Sequence, residues 1–221
     1  ILTQKKMPVK TPMASFAEKV KSPGFPGDGL VMTDLLGFTE LQQHVAYVSI
    51  SQFAANNNRL PSLYNEQDAS SVISLAKDFV SESDIELDVD EDMLKRTSFL
   101  CSVELQPLCA FIGGVLAQEV VKCTGKFTPI PGFMHFSCPD ALPEQLPSAG
   151  EATNPRGHRN DDLAAVYGWP FVEKIGNLKY FMVGCGALGC EFMKNFALNG
   201  IFCGPNGKLT VTDADRIELS N

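Results

Sequence analysis

Asn177-Leu178-Lys179-Tyr180-Phe181-Met182-Val183-Gly184-Cys185-Gly186-Ala187-Leu188-Gly189 runs from a largely apolar segment straight into three glycines at G-x-G-x-x-G spacing. A helical segment follows as far as Asn199-Gly200, and Leu209-Thr210-Val211-Thr212-Asp213 then supplies a second strand that ends on an acid. Strand, glycine turn, helix and strand make one βαβ-sized unit, and that context gives the glycine spacing its meaning. The first glycine permits a tight turn, the second lets backbone N–H groups approach a phosphate, and the third lets helix and strand pack closely. A nucleotide's phosphates are therefore expected at the helix N-terminus. Asp213 stands 24 residues beyond Gly189, near the separation at which a strand-end acid binds an adenosine ribose. Asp215 is its close neighbour.

Leu188, Phe192 and Phe196 recur every four residues along the following helix and are expected in the core, with Gly200 as a left-handed stop. Just upstream, Asp161 to Tyr167 and Phe171 to Ile175 read as short helices. Residues 139–158 hold Pro139, Pro143, Pro147, Gly150, Pro155 and Gly157 and form the clearest linker, with a domain boundary there. Phe127 to Phe136 suggests an edge strand interrupted by Pro129 and Pro131. Leu108 to Cys123 is a mostly apolar helix opened by Pro107 and stopped by Gly125, which implies burial between layers. Gly113-Gly114 inside it costs about 1 kcal/mol per glycine against alanine, and close backbone packing is the expected offset.

The first half reads as helices behind a connector. Residues 1–35 are rich in proline and glycine, and only Ala14 to Val20 has helical character. Thr39 to Ala55 carries Leu41, Val45, Val48 and Phe53 on one face, and Asn56-Asn57-Asn58 ends it. Asn65 is expected to cap the next helix, with Glu66 and Asp68 in the first turn and Ala69, Val72, Ile73, Ala76 and Val80 on its apolar face. The acidic run Glu82 to Asp92 alternates like a calcium loop, but counting from Asp84 the sixth and twelfth places hold Val89 and Lys95. An EF-hand needs glycine and glutamate there, so the run reads as a solvated connector, with Asp90 capping a helix through Leu94.

Composition bounds the rest. The 221 residues are 44% hydrophobic and 20% charged, enough for a sizeable core divided into two or more units. A net charge of −8 argues against general affinity for nucleic acid or anionic membranes, which requires clustered Lys and Arg. No apolar run is long enough for a transmembrane helix. Seven cysteines, odd in number and without a C-x-x-C pair, fit a reducing compartment. Neither they nor the scattered His44, His135 and His158 form a metal-ligand pattern. The missing initiator methionine and the finish at Ser220-Asn221 suggest a fragment of a larger protein.

Tyr180 to Glu191, then Lys194-Asn195-Phe196-Ala197, then Val211 to Asn221 with its Asp-x-Asp-x-Ile-Glu-x-Ser-Asn ending, resemble the start of the active adenylation domain of ubiquitin-activating enzymes. Ala110 to Gly114, Ala117 to Val120 and Gly125-Lys126-Phe127 are similar to the closing helix of that family's inactive adenylation half. Residues from about Thr39 to Leu100 resemble its four-helix bundle. The fold this implies is α/β with a helical subdomain, namely pieces of a Rossmann-like, ThiF/MoeB-type adenylation domain plus a helical bundle. The implied domains are a connector (1–35), the bundle (36–100), the end of the inactive half (101–138), a linker (139–158) and the start of the active half (159–221).

By this resemblance, Gly184, Gly186, Ala187 and Gly189 line an ATP site, Asp213 holds the adenosine ribose with Asp215 beside it among the nucleotide-binding residues, and Asn221 lies near the phosphates. ATP and Mg²⁺ are the implied cofactors. Ubiquitin or a ubiquitin-like modifier and E2 conjugating enzymes are the implied partners, with no nucleic acid or membrane. The family adenylates the modifier's C-terminal carboxylate and then transfers it to a cysteine. None of the seven cysteines here matches that cysteine, so no catalytic residue is assigned and the fragment is expected to be inactive alone. A cytoplasmic and nuclear setting follows. Arg159-Asn160-Asp161-Asp162 in place of Arg-Tyr-Asp-Gly, and Cys185 where alanine is common, mark a divergent member. The alternatives are a dinucleotide-dependent oxidoreductase, which shares the glycine turn, and a noncatalytic subunit of a split activating enzyme.

Overall fold

Ser15 opens the first helix, α1 (Phe16–Lys21), through a capping box: its hydroxyl accepts the Glu18 N–H while the Glu18 carboxylate accepts the Ser15 N–H. The computed structural model describes residues 14–23, 40–125, 127–130, 132–136, 138, 141–150 and 153–215. They divide into two units: one comprises residues 1–102 and 112–139, the other residues 103–111 and 140–221.

The first unit is built on α2 (Glu40–Asn57), α3 (Glu66–Glu82) and α4 (Glu91–Leu100). As the sequence predicts, Asn65 caps α3 by accepting the Asp68 N–H, and Asp90 caps α4 by accepting the Met93 N–H. The α4 helix runs past Leu94 to Leu100 because its buried face continues through Ser98. Val45, Val48, Ala76, Phe79, Met93 and Leu94 form the core. Ile73 and Val80 sit at its edge, while Phe79, absent from the predicted face, is buried.

Two polar arrangements inside this unit escape a reading of apolar periodicity. Asp68, 6% exposed, accepts two bonds from the Arg59 guanidinium at 2.7 and 2.9 Å and one from the Ser62 N–H at 2.8 Å. The Arg59 contacts, then the Ser62 amide, hold its carboxyl at about 2 despite opposing burial. His44 is fully buried. Its Nε2 lies 2.8 Å from the Val20 carbonyl, which can only accept, so Nε2 carries the proton. Its Nδ1 then accepts from His135 Nε2 at 3.3 Å. Burial lowers His44, and burial with the neighbouring His44 lowers His135 to about 4. Phe133 stacks on His135 and meets His44 edge-on.

Several expectations are corrected. Phe127 to Phe136 forms no strand among its described residues; two prolines remove ladder donors, and no strand of the described residues pairs with it. The helix α5 (Gln106–Lys122) begins two residues before the predicted start and has no buried residue. Phe111, Ile112, Leu116 and Val120 are all exposed, because no layer of the described residues covers them. A Cβ built on Gly113 or Gly114 meets nothing within 4 Å, so close packing does not explain that pair here. No helix among the described residues is long and apolar enough to cross a membrane.

In the second unit, α6 (Asp161–Tyr167) and α7 (Trp169–Gly176) lead into β1 (Lys179–Val183), α8 (Ala187–Leu198) and β2 (Lys208–Thr212). The strands pair in parallel, Lys179 opposite Lys208 and Val183 opposite Thr212. Asp161 holds the preceding loop by accepting the N–H groups of Arg156, Gly157 and His158. Trp169 packs with Ala164 and Val172, donates to the Asn154 carbonyl and carries the Arg156 guanidinium 4.3 Å above its ring. The Leu188–Phe192–Phe196 face is not core: Leu188 is 77% and Phe192 53% exposed, since two strands cannot cover a helix of 12 residues.

The imidazole pair and Asp68 predict two separate pH windows for the first unit. Both groups titrate below their unfolded values, so the unfolded chain binds more protons and stability falls as pH falls. The loss runs from about 6.5 to about 4 for His135, then from about 4 to about 2 for Asp68. Urea unfolding followed by helical circular dichroism should show both, with His135→Phe flattening the upper window and Asp68→Asn the lower. Asp68→Asn should also cost about 1–3 kcal/mol at neutral pH.

Candidate functional site

The turn after β1 is built from backbone. Gly184 has φ +100, a left-handed conformation that favours glycine, and its N–H extends the strand ladder by donating to the Thr212 carbonyl at 2.8 Å. Gly186 is the N-cap of α8 in an extended conformation, and no side chain caps the helix. Its carbonyl accepts the Cys190 N–H at 2.9 Å, the first bond of the helix. The leading N–H groups of a helix have no partner within it and carry the positive end of its dipole, so this end suits an anion.

The three glycines differ in what they tolerate. A Cβ on Gly189 would stand 2.3 Å from the Gly184 carbonyl oxygen, whereas one on Gly186 meets nothing within 4 Å. Gly189 is thus required by packing, and Gly186 leaves open space in front of the helix start. Two further glycines fix the far side of the unit. A Cβ on Gly207 would lie 2.2 Å from the Gly176 carbonyl oxygen, and one on Gly200, at φ +71, would lie 2.7 Å from the Asn160 amide nitrogen. Asn160, from the divergent Arg159–Asp162 stretch, is buried against that turn.

Asp213 follows β2 directly and closes the site. Its carboxylate accepts the Asp215 N–H at 2.9 Å and, through the other oxygen, the Cys185 N–H in a short bond. The amides of Asp215, then Cys185, hold this carboxyl below the ordinary aspartate value. It is therefore an ionised acceptor at neutral pH, with lone pairs left over. Gly184, Gly186, Ala187, Gly189 and Asp213 come together beyond the C-terminal ends of the parallel pair; Asp215 is exposed beside Asp213, its backbone N–H turned toward the Asp213 carboxylate. Asn221 lies outside the described residues. Sequence spacing did not reveal that Cys185 donates its amide to Asp213, nor that Cys190 turns back onto the same loop. The signal available was two cysteines flanking the last two glycines of the motif.

Residues 159–221 match the ThiF family, and residues 7–80 match the ubiquitin-activating enzyme E1 four-helix bundle. Ubiquitin-like modifier-activating enzyme 1 of Oryctolagus cuniculus is 41% identical over 227 residues, covering 100% of this chain and 21% of its own length. Over its whole length the chain is homologous to ubiquitin-activating E1 enzymes. The protein of the same name in Dictyostelium discoideum is 40% identical over 96% of the chain and 21% of its own length. Ubiquitin-activating enzyme E1 1 of Schizosaccharomyces pombe is 37% identical over 100% of the chain and 22% of its own length. The chain thus spans about a fifth of the relatives it matches. The ThiF-family segment contains the glycine turn and Asp213, and the E1 helical segment contains α1, α2 and most of α3.

The contact between Gly189 and Gly184 predicts an asymmetry between two alanine variants. Gly189→Ala should destabilise the second unit by about 1–3 kcal/mol, whereas Gly186→Ala should change it by less than about 0.5 kcal/mol. Trp169, the single tryptophan, lies in this unit and reports its unfolding by fluorescence.

Proposed function

We propose that the turn from Gly184 to Gly189 holds the phosphates of ATP, that Asp213 accepts from the ribose hydroxyls, and that this half-site serves adenylation of a modifier's C-terminal carboxylate in a larger ubiquitin-activating enzyme. The observation that carries the reading is the uncapped start of α8 behind an open Gly186, with an ionised acceptor beside it at the end of β2. The relatives' names supply the substrate class, ubiquitin or a ubiquitin-like modifier. In such a reaction ATP supplies the electrophilic phosphorus, and this chain's residues bind and orient. The N–H groups at Gly186 and Ala187 face the phosphate negative charge, Gly184 sets the turn, and Gly189 lets the helix approach it.

Mg²⁺ belongs to the proposal as a counter-ion for the phosphates, with the exposed Asp215 beside Asp213 and with Asn221 as further nucleotide contacts. E2 conjugating enzymes as partners of the larger protein, a cytoplasmic and nuclear setting, and the division into connector, bundle, inactive-half tail, linker and active-half start are part of the same reading. The seven free cysteines agree with a reducing setting. Whole-length homology to activating enzymes sets aside the oxidoreductase reading, and the presence of both matched segments on one chain favours the single-chain type over a split subunit.

Two outcomes test this. In the natural full-length protein, Asp213→Ala should raise the ATP concentration needed for half-maximal ubiquitin-dependent ATP–pyrophosphate exchange by about tenfold to a hundredfold, the worth of a charge-assisted hydrogen bond. Unchanged ATP dependence would remove Asp213 from the site. The 221-residue chain by itself should show no such exchange with ubiquitin and Mg²⁺.

A further inference from the structure

Cys185 is the middle residue of Gly184-Cys185-Gly186, and Cys190 lies in the first turn of α8. The Cys190 thiol donates to the Cys185 carbonyl at 3.3 Å, which brings the Cys190 sulfur against the backbone of residue 185. Both side chains are partly buried. The helix fixes Cys190 and the turn fixes the backbone of Cys185, so rotation of the Cys185 side chain about its Cα–Cβ bond is what brings the two sulfurs to a bond length of about 2 Å.

We propose that Cys185 and Cys190 are a reversible redox pair that closes a disulfide across the glycine turn, with a small-molecule disulfide such as oxidised glutathione as the oxidant. One thiolate attacks a sulfur of the oxidant and expels a thiolate, which takes up the proton the cysteine lost. The second cysteine thiolate attacks the mixed disulfide and expels the other half in the same way. Two chain thiols become one disulfide, and one oxidant disulfide becomes two thiols, so electrons and protons balance. Burial, then the neighbouring Cys190 and Asp213, push the Cys185 thiol up, so the exchange quickens as pH rises. The pair gains control over ATP only through the function proposed above, whereas the disulfide itself forms with or without that function.

Trypsin cleavage after Lys179 and Lys194 leaves both cysteines in one peptide, Tyr180–Lys194. After the folded chain is incubated with oxidised glutathione and alkylated, mass spectrometry should find that peptide without an alkyl group and lighter by two hydrogens than its reduced form. Dithiothreitol should restore two alkylation sites, and Cys185→Ser should leave Cys190 only alkylated or glutathione-bound. A peptide bearing two alkyl groups, only glutathione adducts, or a link to another cysteine of the chain would overturn the pair. Nucleotide binding by the reduced chain is measured separately, so failure of one reading leaves the other standing.

Discussion

The approach of α8 to the end of β1 depends on residue 189 having no side chain, because the Gly184 carbonyl oxygen already stands 2.3 Å from where a Cβ would be. With that contact made, the helix begins directly behind the strand with no side-chain cap, and among the described residues nothing comes within 4 Å of a Cβ built on Gly186. The left-handed Gly184 and the ladder bond to Thr212 fix the other side of the same turn. Asp213 then finds the Cys185 amide because β2 runs parallel to β1 in a register that ends both strands together. One steric condition therefore orients the amides, the acid and the open space between them.

The helical unit solves a different problem, that of burying polar groups. Asp68 is satisfied by a guanidinium and an amide, and the His44 imidazole by a carbonyl on one edge and a second imidazole on the other. Each such group is tolerable inside only while its partners stay in place. The result is a core whose acid response is written into a few named side chains rather than into its apolar packing.

Local chemistry was the most legible part of the sequence. The caps at Asn65 and Asp90 and the strand–turn–helix–strand order were readable because each depends on residues close together in the chain. Burial was less legible: Leu188, Phe192 and α5 have the apolar spacing of core elements yet are exposed here, since periodicity marks a face and not what covers it. Contacts between distant residues were invisible. Arg59 with Asp68, His44 with His135 and Cys185 with Asp213 join positions that no spacing rule connects.

The central claim is that the start of α8 is a phosphate site with Asp213 as its ribose acceptor. Its most direct test is titration of Mg²⁺·ATP into the isotopically labelled chain, with backbone amide resonances followed residue by residue. The account predicts saturable shifts confined to Gly184 through Gly189 and Asp213, abolished by Gly186→Val, with the amides of α2 to α4 unmoved. Shifts spread evenly over the chain, centred on the helical unit, or unaltered by Gly186→Val would contradict it.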